Sequence, residues 1–224
     1  PGLSAVSVLA LLGAVGATLL VMTLGRVAGR GSPHTTLLAG VIFNAFALAA
    51  IIFIKALGAP DKVGEVLFWL AGSLGYEKPV TLWASGAVQA VAIGVMWMLS
   101  GRLNLLTLGD EDAASLGVEV SRTRTVLLLV ASLSVSAAVA LSGLIGFVGL
   151  LVPHLARLAL GPDQRLLLPA SALLGGAFLV FADLGARVLF RLFHTEPPVG
   201  VITALLGGPV FLLLLLRRAR GAMQ

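Results

Sequence analysis

Two amides, one imidazole and one carboxylate sit inside long apolar runs of this sequence: Asn44, Gln89, His154 and Asp183. A carboxylate and an imidazole in such surroundings could relay a proton, since an ionised group in lipid is costly and is kept for function or neutralised by a partner. Each residue also has a purely structural reading. Arg187 follows Asp183 at i+4 on the same helix face of "LVFADLGARVLF", so an intrahelical ion pair accounts for the acid. Asn44 and Gln89 are explained by hydrogen bonds between helices, worth around 1 kcal/mol or less, with lining of a solute path as the alternative. His154 follows Pro153, which frees a carbonyl one turn earlier, so the ring is a candidate hydrogen-bond partner as much as a proton carrier. The triplet Asp110-Glu111-Asp112 invites a metal reading, but three successive carboxylates at a helix start point in different directions. Capping by Asp110 and favourable charge at the helix N-terminus from Glu111 and Asp112 fit them better.

Composition narrows the classes further. The chain has 224 residues and no cysteine, which excludes disulfides, thiolate metal sites and cysteine nucleophiles. His34, His154 and His194 are far apart, and no phosphate-loop, HExxH or GxSxG pattern occurs. Hydrophobic residues make up 58% and charged residues 11%, against about 25% charged in soluble domains, and the mean hydropathy is +1.06. This is a chain for a bilayer. The net charge of +5 does not point to nucleic acid, because the arginines fall between apolar runs as topology signals.

The elements that position these residues follow from the need for about 20 apolar residues per span. Seven candidate spans are expected, at Leu3–Leu24, Leu37–Leu57, Val80–Leu99, Thr125–Leu141, Leu144–Leu160, Leu166–Leu184 and Val199–Leu216, with a tight turn at Ser142-Gly143. Within the fifth, glycines at 143, 146 and 149 recur every three residues and leave one helix face bare. Arg26, Arg30, Arg102, Arg122, Arg124, Arg157, Arg165, Arg217, Arg218 and Arg220 fall on one side, and Lys55, Lys62, Lys78, Arg187 and Arg191 on the other. That bias predicts a cytoplasmic C-terminus and a cytoplasmic loop at 101–124. In this loop Leu103–Leu108 stops at Gly109, and a second short helix from Asp110 stops at Gly117. The opposite loop holds an amphipathic piece, Val63–Leu74, with Trp69 and Tyr76 suited to an interface.

Five ordered segments resemble the permease subunits of bacterial ABC importers for iron–siderophore complexes, haem and vitamin B12, the FecCD-type family. They are "FWLAGSLG" (68–75), "LNLLTLGDEDAASLGVEVSRTR" (103–124), "SGLIGFVGLLVPHLARL" (142–158), "LLLPASALLGGAFLVFADLGAR" (166–187) and "PPVGVITALLGGPVFLLLLLRR" (197–218). The resemblance implies an all-α, multi-pass protein of the bacterial plasma membrane, matching the C-terminal part of a ten-helix type II ABC importer permease. On that reading residues 1–224 are one permease domain lacking the family's first three spans, with 101–124 as its coupling loop. The implied partners are an ABC ATPase subunit dimer carrying ATP and Mg, an extracytoplasmic substrate-binding protein, a second permease copy or homologue, and membrane lipid. No cofactor and no catalytic site are expected on the chain itself.

Residue roles carry over by position. ATPase coupling is implied for Leu106, Leu108, Gly109, Asp110, Glu111, Asp112, Ala113, Leu116 and Gly117, and binding-protein docking for Arg187. A pathway or gate role is implied for Asn44, Gly143, Gly146, Gly149, Pro153 and His154, with His154 as a structural hydrogen-bonder. The segment "TEPPVG" (195–200) keeps Glu196 and Pro198 of the family's pattern. The rival readings are an ion-coupled transporter and an intramembrane enzyme, both using Asp183 and His154.

Overall fold

A computed structural model describes residues 5–29, 33–58, 63–193 and 197–221. The helices run α1 (Ala5–Gly29), α2 (Pro33–Gly58), α3 (Val63–Leu70), α4 (Pro79–Met98), α5 (Ser100–Leu106), α6 (Asp110–Ser115), α7 (Val120–Ser142), α8 (Val148–Leu160), α9 (Gln164–Phe193) and α10 (Val199–Gly221). Among the described residues there is no strand. Among the described residues four stretches are long and apolar enough to cross a membrane: His34–Gly58, Pro79–Met98, Val120–Ser142 and Gln164–Leu189. Leu12–Gly25, Val148–Leu160 and Val199–Leu214 are apolar and shorter. The expected spans therefore correspond to α1, α2, α4, α7, α8, α9 and α10; Leu3, Glu196, His194 and Lys62 lie outside the described residues.

The fifth expected span needs correction. No tight turn leads directly into a helix at Leu144. Instead residues 143–147 are non-helical, and α8 has only 13 residues. At about 1.5 Å per residue it covers roughly 20 Å of a bilayer core near 30 Å, so α8 alone is too short to cross it. Gly143 and Gly146 consequently cannot share a helix face with Gly149. The other differences are of extent. α7 starts at Val120 and α9 runs to Phe193, because helical bonding continues past the apolar run at each end.

Packing follows membrane rules rather than those of a soluble core. α8 lies on α9, α1 on α2 and α7, α4 on α7, and α10 on α8 and α9. Buried positions are mostly small, among them Ala92, Ala137, Ala156, Ala182 and Ala186, whereas Phe46, Trp83, Leu173 and Phe181 are exposed. Lipid tails are as apolar as leucine, so helices gain by close backbone approach instead of by burying large side chains. Gln89 meets the amide expectation: its Nε2 donates to the Ser134 carbonyl at 2.8 Å, and the Ser134 hydroxyl donates back to Oε1. That exchange ties α4 to α7.

Candidate functional site

At one end of the bundle, α5 and α6 form a projecting loop. Leu99 breaks the helix between α4 and α5 at φ −87 and ψ 0. Gly109 turns the chain at φ +124, a conformation that side chains rarely adopt, and stands as the N-cap of α6. Asp110 was expected to cap this helix and does not. Its carboxylate instead accepts two hydrogen bonds from Arg124 of α7, at 2.8 and 3.1 Å. A bidentate guanidinium partner outcompetes the neighbouring amides for those oxygens. The far end of α6 closes as a Schellman motif, with Val118 N–H on the Ala113 carbonyl and Gly117 N–H on the Ala114 carbonyl, both at 3.0 Å. Gly117 takes the required positive φ of +83, and Ala113 and Val118 are buried beneath the turn.

What this loop presents outward is apolar with an acidic margin. Leu108 and Leu116 are 59% and 58% exposed, and Glu111 and Asp112 are exposed beside them. Leu106 is half-buried. Among the described residues no group of three histidine, cysteine or acidic side chains is placed to hold a metal.

Three residues at this end were missed in the sequence. Asn104 of α5 donates through Nδ2 to Asp163 Oδ1 at 2.7 Å and accepts the Gln164 N–H through Oδ1 at 2.9 Å. Asp163 Oδ1 also accepts the Arg165 N–H at 3.0 Å, which makes it the side-chain N-cap of α9. A Gly-Pro-Asp run before a helix advertises such a cap; Asn104, inside "RLNLL", carries no local signal. The third is Trp97. Pro169 has no N–H for the Arg165 carbonyl, and the Trp97 indole donates to that oxygen at 3.2 Å.

The Arg165 N–H, the Asn104 amide and the Arg165 charge hold the Asp163 carboxyl below its ordinary range. A carboxyl depressed by folding stabilises the native state above its unfolded value, and that contribution fades as pH falls through the folded value. Wild type should therefore unfold at a higher temperature than D163N near neutral pH. The difference should shrink on acidification below the carboxylate range, as thermal unfolding in detergent at stepped pH would read.

The opposite end carries the remaining candidates. Arg187 Nε donates to Asp183 Oδ2 at 2.7 Å, with the arginine side chain 51% and the aspartate 21% exposed. Gly143 is buried where three backbones meet. Ser73 N–H bonds the Ser142 carbonyl at 2.8 Å, and Gly200 N–H approaches the Gly72 carbonyl at 3.4 Å. A Cβ at Gly72 would lie 2.6 Å from the Leu144 oxygen; one at Gly143 or Gly200 would collide with the carbonyl of Trp69 or Ala71. These contacts bury the start of the non-helical segment, at Gly143, against protein backbone, as non-helical chain within a bundle requires. Phe147, at φ +67, follows the junction and sets its Cβ 2.6 Å from where a Gly207 side chain would begin. An apolar hollow of about 460 Å³ opens beside it, between Ala71, Leu144, Phe147, Val201 and Leu205.

Other gate candidates are dispersed. Gly146 and Gly149 face open space, Asn44 is exposed on α2, and Pro153 lies within α8. His154 packs edge-on against Phe211 of α10, with ring centroids 6.4 Å apart, so its contact is aromatic where a hydrogen bond was expected. The helix rise separates His154 from Asp183 by roughly 20 Å along the α8–α9 hairpin, which removes the geometric basis for a shared proton relay or catalytic pair.

The comparisons with known proteins agree with this architecture. A cobalamin import system permease protein, BtuC, of Halobacterium salinarum is 43% identical over 203 residues, covering 91% of this chain and 54% of the relative. A hemin transport system permease protein, HmuU, of Yersinia pestis is 41% identical over 209 residues, covering 93% and 62%. A Fe(3+) dicitrate permease, FecC, of Escherichia coli is 40% identical over 205 residues, covering 89% and 60%. The chain thus spans between about half and two thirds of the length of these curated relatives. A metal-chelate type ABC transporter solved in an inward-facing conformation superposes with a TM-score of 0.78 at 28% identity, covering 91% of this chain and 72% of that one. The FecCD transport family pattern itself matches residues 1–217, and on that match, over a multi-pass helical bundle, this chain belongs to the FecCD transport family.

Proposed function

We propose that the chain acts as the permease subunit of an ATP-driven importer for an iron–siderophore, haem or cobalamin-type chelate, moving solute by alternating access at a permease dimer. ATP and Mg belong on a partner ATPase dimer, and an extracytoplasmic binding protein delivers the solute. The chain lies in a bacterial plasma membrane with its C-terminus in the cytoplasm, and binds no cofactor of its own. The observation that carries this reading is the α5–α6 loop. It exposes Leu108 and Leu116 while the Asp110–Arg124 pair and the Asn104–Asp163 bonds fix it to α7 and α9. Force applied by a partner to so fixed a projection moves helices instead of merely bending a loop. Proton coupling is the weaker reading, because Asp183 is neutralised by Arg187 and remote from His154.

The test is made on the loop. Replacing Gly109 by Trp, or reversing Asp110 and Asp112 to Lys, should abolish solute-linked ATP hydrolysis while size-exclusion profiles of the permease stay unchanged. Unaltered co-purification with the ATPase together with normal stimulated hydrolysis would reject the assignment.

A further inference from the structure

Helix α9 touches both functional ends. Its 30 residues extend for about 45 Å. Asp163 and Gln164 at its start bond Asn104 of the projecting loop, and Asp183 and Arg187 sit near its other end. There Ala182 and Ala186 are buried against Val199 and Ile202 of α10, with Leu74, which follows α3, packed on them. A rigid helix bonded at one end and packed at the other behaves as a rod.

Taking the loop as the ATPase contact proposed above, we infer that Asn104 and Asp163 are positioning residues. Their bonds pass displacement of the α5–α6 loop into α9, and so to the end that carries Arg187. Three features support this. Asn104 uses both its donor and its acceptor on the α9 start, so α5 cannot shift along α9 without breaking two bonds. Asp163 is at once the partner of Asn104 and the cap of α9, so the load enters the first turn of the helix itself. Trp97 restores the hydrogen bond lost at Pro169, which keeps the first turns of α9 from yielding where a proline would otherwise soften them. The second fixation, Asp110 to Arg124, leads into α7, which packs on α1 and α4, so it reaches α9 indirectly, through α4.

The chemistry of the pair allows a swap. N104D sets two carboxylates against each other and breaks the link. Adding D163N restores it with polarity reversed. With its amide turned about χ2, the new side chain at position 163 keeps Oδ1 on the Arg165 N–H as the cap of α9 and presents Nδ2 to the new carboxylate at position 104, which also accepts the Gln164 N–H. The chain contains no cysteine, so V188C and Y76C, both at exposed positions near the Arg187 end, can take spin labels without background. The experiment is a distance measurement between those labels in the assembled importer, nucleotide-free and then with ADP–vanadate trapped on the ATPase. Wild type should show a shift between the two states, N104D should lose it, and N104D/D163N should regain it. Trapped nucleotide and co-purified ATPase are measured in the same samples. A shift that persists in N104D, that fails to return in the double variant, or that is missing from wild type with nucleotide trapped, overturns the relay and leaves the importer reading standing. A wild-type chain that binds no ATPase overturns the reading under Proposed function and the relay with it.

Discussion

Gly200→Ala is expected to destabilise the folded chain by about 3 kcal/mol, the upper part of the range for overpacked sites, and to lower its unfolding temperature in detergent accordingly. The added methyl would collide with the Ala71 carbonyl oxygen and lie 3.0 Å from both the Ala71 carbon and the Leu144 oxygen. None of those atoms is the tip of a flexible side chain. Relief would require moving the segment after α3, the 143–147 segment, or the start of α10; the first is hydrogen-bonded to Ser142 at the end of α7 and to Gly200 at the start of α10. Gly143→Ala should be comparably costly, because it adds unfavourable positive φ (+67) to a collision with the Trp69 carbonyl. Gly149→Ala is the control. It lies inside α8 with nothing within 4 Å of the new atom, so the substitution should be neutral or stabilising by up to about 1 kcal/mol through helix propensity. Equal unfolding midpoints for G200A and G149A would show that the three backbones do not meet as described.

That contrast also separates what was legible in the sequence from what was not. Gly117 was readable as a helix stop because a stop is a local event: a short helical run, a glycine, then a change of pattern. Gly109 was read as the stop of a Leu103–Leu108 helix, but α5 ends at Leu106 with Thr107 as its C-cap, and Gly109 instead starts α6. The spans were readable because their apolar lengths depend only on the bilayer. "SGLIGFVG" defeated the same reasoning. Its residues are apolar throughout, so hydropathy runs on without a break, yet residues 143–147 leave the helix. The cause lies far along the chain, in the backbones of Trp69, Gly72 and Gly200. Asp110 failed for a related reason, since the arginine that captures it stands fourteen positions later. Asn104 offered nothing to read, because an asparagine among leucines means little until its partner at 163 is placed beside it. Asp183 and Arg187 were readable because both halves of the pair sit on one helix turn.

If the chain works as the importer subunit proposed above, Arg187→Glu should weaken capture of its binding protein by on the order of tenfold or more at low ionic strength, as reversal of an interfacial charge generally does. The difficulty is that Arg187 already pairs with Asp183, so a loss could come from disturbed folding. Magnitudes separate the two causes. An i,i+4 pair with the arginine half exposed stabilises a helix by only about 0.3–0.5 kcal/mol, too little to unfold a bundle whose neighbouring residues Ala182 and Ala186 are buried. Asp183→Asn removes the same pair while keeping the positive charge, so it should leave affinity within about threefold of wild type. Salt adds a second axis. Wild-type and D183N binding should weaken as salt rises, whereas R187E should respond less, having lost the attraction that salt screens. The measurement is binding-protein affinity for the reconstituted permease at two ionic strengths. Equal losses in D183N and R187E would assign Arg187 to helix pairing alone. An unchanged affinity for R187E at low salt would remove it from the docking surface.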